Sequence, residues 1–586
     1  MYWLHKHRDG STRLSLPATP VVDLTRFMRN MTITSPNKRL LPAWFLGIPV
    51  SYFAVSYMEN FYPTVLEVAL WTVMFHSLVS LFVHYLLGKI SAEFHSDRVS
   101  ASLAAILFAA LVIFVPAMYF TARPFPNLFD AAVFHLPADL WLTFVLALIP
   151  AIPVSGWLLS IAKTKHWDES RLMRFVDENL SGLMAALLFF AVYLIFASIF
   201  NRPHYDADDI FFDADGNLYR WRYATEKYRD YYWRPAHPYL LIIVRPLVGM
   251  LALLFRGDAL FAAFTLNAFI GALCIFLVWY FVRHSLGKPL YALLIAAIFG
   301  ITSTQLAFSS IIETYIYLSA IALIFLVLLL KDKPLYMQVI AGLVAFGITI
   351  SNVGQTFIAH FFVKRDLKQI IIYGLLITAF IVPLSLFHNW VYPNSQPYFW
   401  DISTLEAEGH NQFPPTLQRA EYMTRVIALH SFVTPDLLII RDGWPFPKTW
   451  MFRASIKKDP MQLARYNDPL QDGLLIVWIG LMVVGGVLFL KNIRKHDIGY
   501  YLTFIFTVLF NFALYLQYGK DVFLYATNWT YAILLFLALA WRELADKRWF
   551  QIVLLGFFLL LLVNNSHMYQ TMLEVSSPSV PSPVWR

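Results

Sequence analysis

The chain has 586 residues, of which 59% are hydrophobic and only 14% are charged. A water-soluble protein of this size has too little interior to bury so much apolar surface. The composition therefore excludes a soluble enzyme, a disordered protein and a fibrous protein. The formal net charge of +8 is explained better by basic cytoplasmic loops than by nucleic-acid binding. These features predict an all-α polytopic membrane protein.

Apolar runs of about 20 residues, the length that crosses a bilayer, recur along the chain and predict about 13–15 transmembrane helices. The stretch 335–363 is irregular, because Ser351 and Asn352 interrupt it, and we expect two short helices there. The predicted helices begin near Leu41, Tyr62, Ala101, Ala138, Gly182, Ala259, Pro289, Thr314, Leu335, Val353, Gln369, Gly473, Asp497, Val522 and Trp549.

Basic residues cluster in short loops that follow every second predicted helix, and the positive-inside rule places these loops in the cytoplasm. This orientation requires residues 237–255, which contain Arg245, to lie on the outer surface instead of crossing the membrane. We expect a multi-pass protein of a bacterial inner (plasma) membrane. The loops include Lys163, Lys165, Arg171, Arg174, Arg283, Lys288, Lys331, Lys333, Lys364, Arg365, Lys368, Lys491, Arg494, Lys495, Arg542, Lys547 and Arg548.

This topology predicts the organisation of the chain. A cytoplasmic basic tail covers 1–40, an additional transmembrane module 41–177, and a core 178–387, whose first outer loop is 201–257. An extracytoplasmic loop domain at 388–472, C-terminal transmembrane helices at 473–565 and an outer tail at 566–586 complete it.

An acidic cluster follows the fifth predicted helix directly. Carboxylates this close raise one another's pKa, and a carboxylate with a raised pKa is suited to act as a general base. One alternative is a solvated acidic loop neutralised by the basic residues between Arg220 and Arg234. Another is a divalent-cation loop at Asp213, Asp215 and Asn217, although the distal Glu of calcium loops is missing. The five carboxylates are Asp206, Asp208, Asp209, Asp213 and Asp215.

A His-Pro pair lies further along the same outer loop. Pro238 suits the first turn of a helix, so His237 is expected at the N-terminus of the surface helix. Its functional interpretation is contact with a phosphate or a sugar hydroxyl beside the acidic cluster. The alternative is a histidine that caps or packs the helix.

In this order, the features resemble the GT-C superfamily of membrane glycosyltransferases, which includes protein mannosyltransferases and aminoarabinose transferases. Asp206-Ala-Asp208-Asp209 resembles the acidic motif of their first outer loop, and His237-Pro238-Tyr239-Leu240 their His-Pro-x-Leu element. The outer turn with Glu313 resembles a third landmark. The resemblance covers about residues 180–390, and more loosely the last four predicted helices. It departs from the family at Asp209, where Glu is common, and in four additional N-terminal helices.

The resemblance implies a GT-C-like helical bundle with outer juxtamembrane helices and a large extracytoplasmic loop. It also implies inverting transfer of a sugar from a polyprenyl-phosphate donor to a glycan, lipid or protein acceptor on the outer face. No cofactor is expected apart from a possible divalent cation, and no nucleic-acid partner. The candidate bases are Asp208, Asp209 and Asp215. The candidate donor or phosphate ligands are His237, Arg245, Arg256 and Lys520. The candidate substrate ligands are Glu313, Arg441 and Trp444, and the candidate metal ligands are Asp213 and Asp215.

Some of these residues also have an ordinary structural interpretation. Arg245 and Arg256 also suit side chains that reach from the lipid to the interface, and Glu313 suits a carboxylate at a helix N-terminus. Two other activities are considered, a lipid-linked polysaccharide polymerase or ligase, and a transporter or flippase of lipid-linked glycans. The absence of a repeat between halves and the few ionisable residues in the predicted helices disfavour transport.

Overall fold

The computed structural model describes residues 37–201, 210–226, 236–393, 395, 398, 400, 406–441, 447–454, 460–495 and 497–577. The chain divides into two compact units. The smaller is formed by Met1–Ala92 and Leu136–His166, and the larger by Glu93–His135 and Trp167–Arg586.

The predicted helical architecture is confirmed, since each apolar run forms one or two helices. In chain order the α-helices are α1 (Asn37–Glu59), α2 (Val65–Ser96), α3 (Arg98–Ala122), α4 (Trp141–Thr164), α5 (Arg171–Phe200), α6 (Gly216–Ala224), α7 (Leu240–Ala252), α8 (Ala259–Leu286), α9 (Pro289–Gly300), α10 (Ser303–Ser310), α11 (Tyr315–Leu330), α12 (Leu335–Ile348), α13 (Val353–Lys364), α14 (Leu367–Val391), α15 (Leu417–Arg425), α16 (Pro469–Asn492), α17 (Gly499–Tyr515), α18 (Thr527–Ala540) and α19 (Arg548–Ser576).

Fewer helices than predicted are long enough to cross a membrane. In the described part of the chain nine are long and apolar enough, or ten if α9 and α10, bent by 63°, count as one span. The other predicted spans, α11, α12, α13, α17 and α18, have 16, 14, 12, 17 and 14 residues. At 1.5 Å per residue these are shorter than the roughly 30 Å hydrocarbon layer. The expected break in 335–363 is present, because a 3₁₀ turn at Ile350–Asn352 separates α12 from α13.

Several of the loops that the sequence places on one face lie together at one end of the larger unit, here called the basic end. Lys288 pairs with Asp546 at 2.6 Å and Arg365 with Asp497 at 2.7 Å. Each pair is exposed and therefore contributes little stability, but together they join loops that are distant in sequence. Further pairs there are Arg548–Asp97, Lys491–Glu543 and Lys364–Asp332.

The opposite end, here called the loop end, gathers the long polar segments. Asn201, which ends α5, donates to Ser310 O at 2.7 Å and accepts from Ile312 N at 2.7 Å. This exchange ties the start of the first long loop to the turn between α10 and α11. The stretch 237–255 contains a helix, α7, followed by a 3₁₀ turn at Leu253–Phe255, and its predicted place on the outer surface stays a prediction.

The segment 388–472 contains all the β-strands of the described residues, and isolated β-bridges join Thr449 to Phe211 and Gln412 to Tyr518. Antiparallel strands β1 (Leu438–Ile440) and β2 (Lys448–Trp450) pair Leu438 with Trp450, and β3 (Phe452–Arg453) pairs with β4 (Gln462–Leu463). A π-helical turn, Val426–His430, continues from α15. These small hairpins are the one departure from the predicted all-α class.

The smaller unit has its own apolar core, which includes Val55, Val68, Leu140 and Phe144. Trp44 Nε1 donates to Leu148 O at 3.1 Å and joins α1 to α4.

Candidate functional site

A strained turn at the loop end carries Asp213. Phe212 and Asp213 have φ values of 57° and 62°, and Ala214 N donates to Phe211 O at 3.0 Å. Two consecutive left-handed residues closed by this bond form a turn that usually needs Asn-Gly. Left-handed residues other than Gly cost about 1–2 kcal/mol each, and strain of this kind collects at functional sites.

The second long loop holds this turn in place. Phe212 N donates to Thr449 O, and Thr449 N donates to Ile210 O, both at 2.8 Å. The Phe212 ring is fully buried and lies edge-on to Phe523, with ring centroids 5.0 Å apart. The backbone just before Asp213 is therefore fixed by segments more than 200 residues away in sequence.

Asp213 faces the side chain of Lys520. Lys520 Nζ is 3.9 Å from Asp213 Oδ1, and the two side chains are 24% and 8% exposed. The loop that carries Lys520 contacts the second long loop, because Ala454 N donates to Lys520 O at 2.9 Å. The predicted phosphate ligand Lys520 and the predicted metal ligand Asp213 thus lie together, as an ion pair.

Asp215 is joined to Glu313. The Asp215 backbone N–H donates to Glu313 Oε1 at 3.3 Å, and Glu313 Oε2 accepts from Thr314 N. Glu313 is 1% exposed, so its carboxylate holds the acidic segment against the α10–α11 turn. Asp215 is half-buried at the N-cap of α6, and its side chain makes no capping hydrogen bond.

Tyrosines form one wall of this region. Tyr525 stacks on Tyr515 at 4.1 Å between ring centroids and meets Tyr315 edge-on at 5.0 Å. Burial, followed by the neighbouring Tyr518 and Asp213, raises the pKa of Tyr525 well above its usual value. Tyr525 is therefore a neutral hydroxyl donor beside carboxylates at physiological pH.

Asp521, next to Lys520, is completely buried. Its oxygens accept from the backbone N–H groups of Met451, Phe452 and Phe523 at 2.9, 3.2 and 2.9 Å. Burial raises the pKa of Asp521 to about 7, although the three N–H donors favour the charged form. Asp521 therefore anchors the lysine loop to the β2–β3 turn.

His237 and Arg245 mainly hold helix ends together. His237 is 5% exposed, and its Nδ1 lies 2.5 Å from Ile348 O, where α12 ends. Arg245 donates to the carbonyls of Arg222 and Thr225 at 3.1 and 2.7 Å, and so caps the C-terminus of α6. These contacts match the interpretation of His237 as a histidine that caps or packs a helix. They give Arg245 a capping role in place of a lipid-facing one.

The remaining candidates are dispersed or lie outside the described residues. Arg256 is in an exposed left-handed turn before α8, and Arg441 is exposed after β1. Asp208, Asp209 and Trp444 lie outside the part of the chain that the structure describes. Within that part, no group of three or more His, Cys, Asp or Glu side chains has the arrangement of a metal site.

Two features of the site were not predicted, the strained Phe212–Asp213 turn and the tyrosine wall. For the second, the sequence offers the glycine at 519 as a signal of a tight turn beside Lys520, and in the structure Gly519 has a φ of 91° and lies against the Tyr525 ring. No protein-family model, curated protein or solved structure matches the chain.

Proposed function

We propose that this protein is a membrane glycosyltransferase that moves a sugar from a polyprenyl-phosphate donor to an acceptor hydroxyl with inversion. The observation that carries the proposal is the juxtaposition of Asp213, Asp215 and Glu313 with Lys520 at the loop end. Asp213 and Asp215 belong to the first long loop, Glu313 to the α10–α11 turn and Lys520 to the loop between α17 and α18. These three segments are distant in sequence, and contacts between their residues bring them together there.

The chemistry requires a base and a cation. The acceptor O–H transfers its proton to a carboxylate while its oxygen forms the new bond to the anomeric carbon. The bond between that carbon and the phosphate oxygen breaks, and the electron pair leaves with the lipid phosphate. Lys520 supplies positive charge for this leaving group. Half-buried Asp215 is the described candidate for the base, while Asp208 and Asp209 remain candidates from the sequence.

Preorganisation supports an enzyme more than a scaffold. The strained turn at Asp213 and the buried anchors Glu313 and Asp521 fix charged groups before any ligand binds. Fixed charges in a site of low dielectric stabilise a transition state without reorganisation. A scaffold gives no reason to hold Asp213 in a left-handed conformation.

The polar residues between the helices argue against transport. His360 Nδ1 lies 2.9 Å from Gln338 Oε1, and Tyr531 OH donates to Gln355 Oε1 at 2.7 Å. These side chains join α13 to α12 and α18 as interhelical hydrogen bonds do in membrane proteins. They are engaged with one another, which favours a packing role over a substrate path.

The test is release of free lipid phosphate. Purified protein in lipid nanodiscs is incubated with labelled polyprenyl-phosphate sugars and candidate acceptors. We expect turnover in the wild type. The variant that removes the base, either Asp215→Asn or the Asp208→Asn, Asp209→Asn double variant, should lower turnover by about 10²–10⁴-fold. Glu421→Gln is the matched control, since Glu421 is half-exposed on α15 and pairs only with Arg425 in the described residues. Unchanged turnover in both carboxylate variants excludes the base assignment, and movement of intact donor across proteoliposomes supports the flippase.

A further inference from the structure

Arg419 is a buried arginine whose hydrogen bonds all go to one stretch of backbone. It lies on α15 and is 1% exposed. Its Nε donates to Leu516 O at 2.8 Å, and its Nη2 lies 2.9, 2.9 and 2.8 Å from the carbonyl oxygens of Tyr515, Tyr518 and Gly519. One guanidinium thus binds the carbonyls that end α17 and the turn after it.

The physical reason for this arrangement is the helix terminus. The last carbonyls of an α-helix have no partner within the helix and carry partial negative charge. Arg419 satisfies them from α15, about 100 positions earlier in the sequence. Burial lowers the pKa of Arg419 to about 10, so it remains charged at neutral pH. Within the described ranges no carboxylate forms an ion pair with it.

The clamped backbone leads directly to Lys520. Gly519 has a φ of 91°, and a Cβ there would lie 2.4 Å from the Tyr525 ring. On the other side of Lys520, Asp521 caps the 3₁₀ turn at Val522–Tyr525. The lysine is therefore held between a guanidinium clamp before it and a buried carboxylate anchor after it.

The same guanidinium also contacts other parts of the second long loop, to which α15 itself belongs. Arg419 lies over the rings of Phe413 and Phe452, 4.6 and 5.4 Å from the ring centroids. Phe452 N is one of the donors to Asp521. Arg419 and Asp521 thus hold the backbone on either side of Lys520 and share Phe452 as a neighbour.

We propose that Arg419 is a positioning residue that sets the placement of Lys520 opposite Asp213. The kinetic part of this inference rests on the proposed function, whereas its geometric part does not. A residue needed only for folding would lower stability without changing the Lys520–Asp213 separation in the protein that still folds.

The geometric test uses cysteine cross-linking. Cys274, the only cysteine in the sequence, is fully buried, so an Asp213→Cys, Lys520→Cys variant presents two new thiols. A short bifunctional thiol reagent is expected to join them, which is scored by mass spectrometry of the purified, folded fraction. Adding Arg419→Gln is expected to reduce the cross-linked fraction several-fold. Arg419→Lys should give an intermediate fraction, because an ammonium cannot reproduce the planar fork.

Arg425→Gln is the matched control on the same helix, because Arg425 is 54% exposed and pairs with Glu421. Its cross-linked fraction should equal that of the parent. A folded Arg419→Gln or Arg419→Lys variant with the control's cross-linked fraction would overturn the proposal. Failure of both to fold would overturn it as well, since Arg419 would then serve the whole fold.

The kinetic test uses the otherwise native chain. Arg419→Gln is expected to lower kcat by about 10–100-fold, the cost of displacing a catalytic group by about 1 Å, with a smaller change in the donor KM. An equal kcat in Arg419→Gln and Arg425→Gln contradicts the kinetic role. Absence of transfer in the wild type contradicts the proposed function instead, and leaves the cross-linking result to decide the geometric part.

Discussion

Asp213→Asn is the sharpest test of whether the strained turn serves activity. Asn adopts the left-handed conformation more readily than most residues and has nearly the same size as Asp, so the turn should form unchanged. The substitution removes one buried charge opposite Lys520, 3.9 Å away. We therefore expect a folded protein that has lost a defined electrostatic contact.

The magnitude follows from two opposed terms. At an effective dielectric constant of about 20, unit charges at this distance attract by roughly 4 kcal/mol. Removing a carboxylate from water costs several kcal/mol, which Asp213→Asn regains. Removing one partner of a fully buried ion pair costs about 3–5 kcal/mol, because the other charge is left unpaired. Lys520 is 24% exposed and can be solvated, so we expect the free energy of unfolding to fall by only about 1–2 kcal/mol. Turnover should fall by at least about 10²-fold, because a preorganised charge is lost from the site.

The assay compares two variants in the same nanodiscs. The midpoint of thermal inactivation and the rate of lipid-phosphate release are measured for the wild type, Asp213→Asn and Asp213→Gly. Gly removes the left-handed cost at φ 62°, so Asp213→Gly should be at least as stable as Asp213→Asn and equally inactive. Full activity per folded molecule in either variant would refute the functional interpretation of the strain. A midpoint lowered strongly in both would show that Asp213 serves folding instead.

Three further substitutions test the anchors of the site. Glu313→Gln replaces one accepting oxygen by an NH₂ group, so one of the N–H groups of Asp215 and Thr314 loses its acceptor. The thermal midpoint should drop by an amount equivalent to about 1–3 kcal/mol. An unchanged midpoint contradicts the role of Glu313 as an anchor. Gly519→Ala should destabilise the protein at its φ of 91° and against Tyr525, and the double variant with Tyr525→Ala should recover part of the lost midpoint. The folded-state pKa of Asp521, about 7, lies above the ordinary aspartate pKa of 3.8, so the free energy of unfolding should fall as the pH rises from 4 to 7 and level off above pH 7. This slope in the thermal midpoint should be absent from Asp521→Asn, and its persistence there would assign it to another group.

The positions of the helices followed from the sequence, whereas the number that can cross a membrane did not. In α9, all residues from Leu290 to Gly300 are buried in the protein, while in α14 only a few residues are buried. Both read as continuous apolar runs. Hydropathy reports removal from water and does not distinguish burial in protein from exposure to lipid. For this reason hydropathy also predicts a span at a short helix such as α18, which is almost wholly buried in the protein.

The parts of the candidate site that depend on the type of side chain could be predicted from the sequence, whereas the parts that depend on backbone conformation could not. The carboxylates stand out in the sequence because five of them lie between Asp206 and Asp215, directly after an apolar run, and Lys520 and Glu313 because each lies in a predicted outer turn. The turn at Phe212 and Asp213 does not, because neither residue is typical of a mirror-image turn. Arg419 left no signal at all, since its partners are backbone carbonyls on a segment distant in sequence.

The charged groups at the two ends of the larger unit differ in exposure, so ionic strength should affect their interactions differently. At the basic end the pair Lys288–Asp546 has side chains that are 43% and 64% exposed, so salt screens it and it contributes about 0–1 kcal/mol. At the loop end Asp213 is 8% exposed, and Arg419 and Asp521 are buried. Screening reaches such groups weakly. We therefore expect added salt to weaken the exposed pairs at the basic end and to leave the contacts of Asp213, Arg419 and Asp521 at the loop end nearly unchanged.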